Sequence, residues 1–278
     1  MKDLTQKRFF LLDMDGTIYI DHTLFDGTLD FLSHVRESGG KYLFLTNNSS
    51  KSAEDYAKKL RALGIPSDGE DFLTATDATT LYLEQHYPDA LVYAMGTRSF
   101  VDELREGGIR VTTELVDGID LLLISNDTEL TFKKLEDACI LLGRGVTYIA
   151  TNPDYVCPTA YGYAPDCGSF AEMLCRATGR MPLFIGKPEP AMLNLALKKY
   201  RVPAEDALMV GDRLYTDIAA GVNAGVDTVL VLSGEGTREE AEKSEKKPTY
   251  ILENIRALDN AVFGTHTVTT PGKNSEGV

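Results

Sequence analysis

The sequence predicts an α/β protein organised on a parallel sheet, and three observations carry that prediction. First, short apolar runs without polar alternation recur, among them Phe9-Phe10-Leu11-Leu12, Tyr42-Leu43-Phe44-Leu45 and Ala207-Leu208-Met209-Val210. Strands covered on both faces of a parallel sheet read this way. Second, segments with helical spacing separate the runs through short links, the rhythm of βαβ units. Third, polar clusters directly follow several of the runs, at the carboxyl ends where open α/β sheets hold ligands.

The elements follow in order. The strand 9–12 ends in Asp13 and Asp15, and Gly16 then lets backbone come close to a ligand. A helix is expected over 28–37 with Leu29, Leu32 and Val35 on one stripe, stopped by Gly39-Gly40. The strand 42–45 leads into Thr46-Asn47-Asn48-Ser49-Ser50, a second polar cluster at a strand end. A helix over 52–63 closes at Gly64-Ile65-Pro66, and another over 76–86 is expected to be capped by Thr76 or Asp77. Strands over 91–94, 121–124 and 147–150 then alternate with helices over 99–106 and 131–142.

The stretch 151–168 is rich in Pro, Gly and Asp, and predicts a long functional loop. A helix over 169–178 ends at Gly179. Lys187 sits in the proline-bounded turn Gly186-Lys187-Pro188-Glu189-Pro190 before a helix over 191–200. The strand 207–210 ends in Gly211-Asp212-Arg213, and the next helix carries Asp217 in its first turn. A strand is expected over 228–232, and the tail beyond Gly264 is expected to fray.

Bulk properties narrow the function. The 278 residues carry a net charge of −14, which argues against nucleic acid and against an anionic membrane surface. No apolar stretch reaches the length of a membrane span. The four cysteines, Cys139, Cys157, Cys167 and Cys175, show no C-x-x-C spacing, so reduced structural thiols and a cytoplasmic setting are expected, with no secretory leader at the N-terminus. There is no G-x-x-x-x-G-K-[ST] and no strand-borne G-x-G-x-x-G. His22, His34, His86 and His266 lie near no motif and read as surface or packing residues.

What remains is the convergence of Asp13 and Asp15, Thr46 and Asn47, Lys187, and Asp212 with Asp217 along one sheet edge. Mg²⁺ prefers hard oxygen ligands and keeps several waters, so one or two direct carboxylates suffice for it. Four carboxylates against one lysine leave the site short of positive charge, which one bound divalent cation would offset.

The motifs Asp13-Met-Asp-Gly-Thr17, Thr46-Asn-Asn48, Gly186-Lys187-Pro-Glu-Pro190 and Gly211-Asp-Arg-Leu-Tyr-Thr-Asp217 resemble, in order and spacing, the four motifs of the haloacid dehalogenase superfamily. The likeness is to its subfamily IIA, the NagD and p-nitrophenyl phosphatase-like branch, and it runs from residue 8 to about 258. Thr151-Asn-Pro-Asp154 and Pro165-Asp-Cys-Gly-Ser169 resemble the cap of that branch. The resemblance implies a doubly wound Rossmann-like core with an inserted α/β cap of the C2 type. The core would be residues 1–80 and 181–278, and the cap 81–180.

It also implies roles. Asp13 would be the nucleophile that forms an aspartyl-phosphate, and Asp15 the general acid and base. Asp13, the Asp15 carbonyl and Asp212 would hold Mg²⁺, with Asp217 behind them. Thr46, Asn47 and Lys187 would bind the phosphoryl oxygens. The implied activity is a Mg²⁺-dependent phosphatase for small phosphate monoesters such as sugar phosphates or nucleotides, with p-nitrophenyl phosphate as an artificial substrate and homodimers through the cap. From the cap, Tyr155, Tyr161 and Tyr163 are expected to read the leaving group. A phosphotransferase or mutase of the same superfamily shares the acid pair. A receiver-like phospho-acceptor module also pairs acids with a lysine, but it needs no cap and about half this length.

Overall fold

The computed structural model describes residues 3–49, 52–159 and 162–264. The expected fraying tail from 265 on, including His266, and Tyr161 of the expected cap loop lie outside the described residues.

A six-stranded sheet forms the larger layer. Its strands are β1 (Phe9–Leu12), β4 (Lys41–Thr46), β5 (Phe72–Thr74), β13 (Ala207–Gly211), β14 (Asp227–Val231) and β15 (Tyr250–Leu252), in the order β15-β14-β13-β1-β4-β5. Every neighbouring pair is parallel. The chain moves outward from β1 through β4 to β5, and later from β13 through β14 to β15. The order therefore reverses between β1 and β13, the place where doubly wound sheets open a crevice at the strand ends. A small antiparallel hairpin, β2 (Tyr19–Ile20) with β3 (Thr23–Leu24), follows β1.

The four side chains of β1 are at most 1% exposed, as a central strand covered on both faces requires. Burying a side chain such as Phe or Leu contributes about 1.5–3 kcal/mol. One face of the sheet packs against α1 (Thr28–Glu37) and α10 (Ile255–Phe263), with Phe31 edge-on to Phe10 at 5.2 Å between centroids. The buried stripe of α1 is Phe31, Leu32 and Val35; Leu29 points outward. The other face packs against α7 (Ala191–Tyr200). The short helix α9 (Arg238–Lys243) links β14 to β15 and buries Ala241 against Leu230.

A second sheet of five parallel strands comes from the middle of the chain. Its strands are β6 (Val92–Met95), β7 (Val111–Thr112), β8 (Leu121–Ile124), β9 (Thr147–Ala150) and β12 (Leu183–Phe184), in the order β12-β9-β8-β6-β7. It carries α4 (Arg98–Glu106), α5 (Phe132–Gly143) and α6 (Cys167–Thr178). This sheet reaches Phe184, a few residues past the expected boundary at 180. One apolar cluster, including Leu11, Leu43, Phe100 and Ile149, is continuous from the first sheet to the second.

Two local expectations are corrected. The segment 151–168 is not one long loop: β10 (Val156–Thr159) and β11 (Gly162–Pro165) pair as an antiparallel hairpin. Their prolines and glycine hid the strand pattern. Helix α3 (Ala75–His86) is capped by Thr74, not by Thr76 or Asp77. Thr74 Oγ1 accepts from Asp77 N–H at 3.1 Å, and Asp77 Oδ2 accepts from Thr74 N–H at 2.7 Å, a reciprocal box. Among the described residues no helix is long and apolar enough to cross a membrane.

Candidate active site

The carboxyl ends of β1, β4 and β13 and the turn after β12 converge on a cavity of about 890 Å³. Asp13 extends β1 by one rung, its N–H donating to Val210 O at 2.9 Å. That rung sets Asp13 beside Gly211 and Asp212 at the end of β13. Asp217 lies in a widened turn over Leu214–Ile218, not in the first turn of a regular helix; α8 (Ala219–Ala224) follows it. There Asp217 Oδ2 accepts from Arg213 N–H at 3.1 Å.

The result is a compact charged cluster. One oxygen from each of Asp13, Asp212 and Asp217 lies within 4.8 Å of the others. Lys187 Nζ donates to Asp13 Oδ1 at 2.6 Å and to Asp217 Oδ1 at 2.7 Å. Burial alone would push the ammonium pKa down, but these two carboxylates outweigh it and hold Lys187 above its ordinary value. Burial, reinforced by Asp217, raises the Asp13 carboxyl well above the usual range, and the same causes push Asp212 up to about 6.

A site with raised carboxylates is short of positive charge. Asp212 Oδ1 is buried with no hydrogen-bond partner, while Asp212 Oδ2 accepts from Glu235 N–H at 2.9 Å. A bare, buried carboxylate oxygen beside two further carboxylates fits a hard cation. Gly16 explains how the acids come so close. It has φ +85°, and a Cβ there would run into the Asp212 carboxylate.

Asp15 points to another wall of the same cavity. Its side chain is about half exposed and stands outside the acidic trio. Tyr19 Oη donates to Asp15 Oδ2 at 3.1 Å. The Lys59 ammonium lies 3.7 Å from Asp15 Oδ1 and 3.8 Å from the Tyr19 ring centroid. Lys59 comes from α2 (Ala53–Ala62), whose N-cap is Ser52.

Thr46 and Asn47 both line the cavity and are nearly buried. Thr46 Oγ1 accepts from Asn48 N–H at 3.1 Å. The Asn47 side chain has a task that the sequence did not reveal. Its Oδ1 accepts from Lys187 N–H at 2.8 Å, and its Nδ2 donates to Lys187 O at 2.8 Å and to Asp154 Oδ2 at 3.0 Å.

Of the three tyrosines, Tyr163 lines the cavity from β11, while Tyr155 is exposed and is not part of the lining. Tyr161 is not described. His22, read from sequence as remote from any motif, lines the cavity from the β2–β3 turn; Cys157 of β10 and Arg213, which follows β13, line it too. Tyr19, Lys59 and Asp154 were missed because each acts through a partner distant in sequence or on another element, and a lone Lys or Tyr on a helix or strand carries no signal of that.

Comparison with known proteins gives a consistent picture. The haloacid dehalogenase-like hydrolase family matches residues 10–110, and a second profile described as HAD-hydrolase-like matches residues 184–258. An acid sugar phosphatase of Staphylococcus haemolyticus is 34% identical over 246 residues, covering 88% of this chain and 93% of that protein. A 4-nitrophenylphosphatase from Thermotoga maritima superposes with a TM-score of 0.88 at 38% identity, over 93% of this chain and 98% of that one. A glycerol phosphate phosphatase from Mycobacterium tuberculosis in complex with magnesium superposes with a TM-score of 0.87 at 33% identity, over 93% and 78% of the two chains.

Proposed function

This chain belongs to the haloacid dehalogenase-like hydrolases of the NagD and 4-nitrophenylphosphatase kind and is a phosphoric monoester hydrolase; from that premise we propose that it is a Mg²⁺-dependent phosphatase for small phosphate esters acting through an aspartyl-phosphate. The observation that carries the reading is the cluster of Asp13, Asp212 and Asp217 around the Lys187 ammonium.

Asp13, Asp212 and, behind them, Asp217 would hold the ion. When bound, Mg²⁺ would offset the excess negative charge and draw density from the phosphoryl oxygens. Lys187 and the Thr46–Asn47 segment would hold the remaining phosphoryl oxygens, and Lys187 orients Asp13 through its 2.6 Å bond.

The Asp13 carboxylate oxygen attacks phosphorus, the ester P–O bond breaks, and the departing alkoxide takes a proton from Asp15. Asp15, now a carboxylate, accepts a proton from water. That water oxygen attacks phosphorus, the bond from phosphorus to Asp13 breaks, and inorganic phosphate leaves. Tyr19 and Lys59 keep the Asp15 side chain turned toward the cavity.

The second sheet, between Asn47 and Lys187 in chain order, acts as the cap, and the separate hairpin β10–β11 that follows β9 stands over the leaving-group side. The relatives are named acid sugar phosphatase, glycerol phosphate phosphatase and 4-nitrophenylphosphatase. Esters of small polyols are therefore the first substrates to try.

The test is product analysis. The protein with Mg²⁺ is given 4-nitrophenyl phosphate, glycerol phosphate and several sugar phosphates. Free phosphate equal to the alcohol released is expected. Transfer to a second acceptor without free phosphate would assign a phosphotransferase instead.

A further inference from the structure

At the strand ends, the otherwise apolar seam between the two sheets carries a patch of buried polar groups. The loop after β4 enters it with Asn47 and Ser49, which are 6% and 1% exposed. Ser49 Oγ lies 3.0 Å from Thr151 Oγ1 and accepts from Asn126 N–H at 3.2 Å, so it touches the ends of two strands of the second sheet. Asn47 reaches Asp154, four residues past the end of β9.

Lys187 is tied to the same seam. It stands three residues after β12, an edge strand of the second sheet. The ladder continues past that strand: Ile185 N–H donates to Ala150 O at 3.1 Å and Gly186 N–H to Thr151 O at 2.7 Å. A Cβ on Gly186 would come within 2.7 Å of both Asn47 Oδ1 and Thr151 O, so two backbones and the Asn47 amide meet here in close contact. Lys187 thus leaves the second sheet directly and places its ammonium in the first sheet's site.

Asn47 holds Lys187 by both backbone polar groups, and its Nδ2 also donates to Asp154 Oδ2. Asp154 in turn is held by Asn152, whose Nδ2 donates to the same oxygen at 3.1 Å. The other oxygen, Asp154 Oδ1, is buried without a partner. One acceptor atom of Asp154 therefore orients the amide that orients the lysine. Asn47 is separated from Asp154 by 107 positions and from Lys187 by 140, yet the chain of bonds is continuous.

We propose that Asp154, in the loop that leaves β9 of the second sheet, is a positioning residue for Lys187, acting through the Asn47 amide across the seam. The inference rests on Lys187 being the phosphate ligand. It means that the phosphate site is complete only while the second sheet is docked, because its cation is aligned by a side chain of a loop of that sheet. Asp154 acts on the phosphate end of every substrate alike and leaves the choice of alcohol to other residues.

The experiment compares wild type, Asp154→Ala, Asp154→Asn and Lys187→Ala, all with Mg²⁺. It reads inhibition by inorganic phosphate and kcat/KM across several esters. Asp154→Ala is expected to weaken phosphate inhibition and lower kcat/KM by about tenfold, the scale of one buried hydrogen bond to an ionised acceptor. The loss should be the same factor for every ester. Asp154→Asn keeps a carbonyl oxygen for Asn47 and is expected within about threefold of wild type.

Unchanged phosphate inhibition in Asp154→Ala overturns the inference, as does a loss that differs between esters or an Asp154→Asn loss as large as that of alanine. If Asp154→Ala does not fold, Asp154→Ser takes its place, with an intermediate uniform loss expected and no loss overturning the idea. Lys187→Ala separates the two levels: if it retains phosphate inhibition, the phosphate role of Lys187 is itself wrong.

Discussion

Lys187 Nζ and Asp13 Oδ1 lie 2.6 Å apart although 174 residues separate them in the chain. The bond joins the end of the first strand to the turn that leaves the second sheet. It also fixes which Asp13 oxygen is committed to the lysine and leaves Oδ2 toward Thr17 Oγ1 at 3.4 Å. A carboxylate held in this way is oriented for attack, and its amide counterpart keeps the shape without the nucleophilicity.

Asp13→Asn is therefore expected to fold normally and to lose at least about 10³-fold in kcat, roughly 4 kcal/mol of barrier. Circular dichroism and steady-state assay of the same preparation check it. Retention of more than a tenth of wild-type activity would remove Asp13 as the nucleophile.

Metal removal follows from the raised Asp13 and Asp212 carboxyls. Activity should vanish in excess EDTA and return on adding Mg²⁺, since three crowded carboxylates otherwise repel a phosphate dianion. Asp212→Asn should raise the Mg²⁺ concentration needed for half activity by about tenfold or more. An unchanged Mg²⁺ titration would exclude Asp212 as a ligand.

Glu103 should make stability fall as pH rises. It sits on α4, the helix that packs against α3. Burial, with Asp77 nearby, pushes its carboxyl from 4.5 up to about 7, and one of its oxygens is buried without a partner. At pH values below 4.5 both folded and unfolded forms are protonated and Glu103 contributes nothing. Between 4.5 and about 7 the unfolded chain ionises first, so stability drops as pH rises, and the full penalty holds above that range. Glu103→Gln should leave the melting temperature unchanged at the acid end of the range and raise stability about one pH unit above its alkaline end. Allowing for partial exposure and solvent screening, the gain is about 1–2 kcal/mol. Equal effects of the substitution at both pH values would refute this.

Much of the fold was legible because its central strands are wholly buried. Phe9–Leu12, Leu121–Ile124 and Ala207–Gly211 are continuous apolar runs, the polar ends of such runs marked Asp13, Asp212 and Asp217, and the proline-bounded turn before a helix marked Lys187, all without any contact information. What was lost is what depends on tertiary pairing. The short strands Phe72–Thr74 and Leu183–Phe184 are held by neighbours more than by their own pattern. The hairpin over 156–165 carries prolines that read as breakers. Asn47 was legible as a strand-end polar group, but its grip on Lys187 and Asp154 spans more than a hundred residues and has no local signature.

The cap of α3 tests the same point on a smaller scale. Thr74→Ala should cost about 1–2 kcal/mol, because it removes the acceptor for Asp77 N–H and the partner of the Asp77 carboxylate. Thr76 Oγ1 is buried without a hydrogen-bond partner, so Thr76→Val should be neutral or stabilising. Denaturant titration ranks the two. A larger loss from Thr76→Val would return the cap to the position that the sequence suggested.

The last prediction concerns leaving-group choice. Hairpin β10–β11 contributes to the same cavity as Asp15, where the alcohol would sit once phosphorus faces Asp13. Tyr163 stands on β11, lines that cavity and is 73% exposed, so its ring is available to a ligand and little used by the fold. Tyr155 is also exposed, but outside the lining; its backbone carbonyl accepts from Ser169 Oγ at 2.5 Å and from Asp166 N–H at 2.9 Å. An aromatic contact contributes about 0.5–1.5 kcal/mol beyond area burial, or roughly threefold to tenfold in rate for a substrate that uses it. Tyr163→Ala should therefore shift the preference among glycerol phosphate, sugar phosphates and 4-nitrophenyl phosphate, compared as ratios of kcat/KM, by at least about threefold. The Mg²⁺ requirement and phosphate inhibition should stay fixed, because the acidic cluster and its lysine are built without the ring. Tyr155→Ala should leave the ranking unchanged. If Tyr163→Ala lowers every ester by one common factor, its ring does not read the alcohol, and selection must come from other lining residues such as His22 or Lys59.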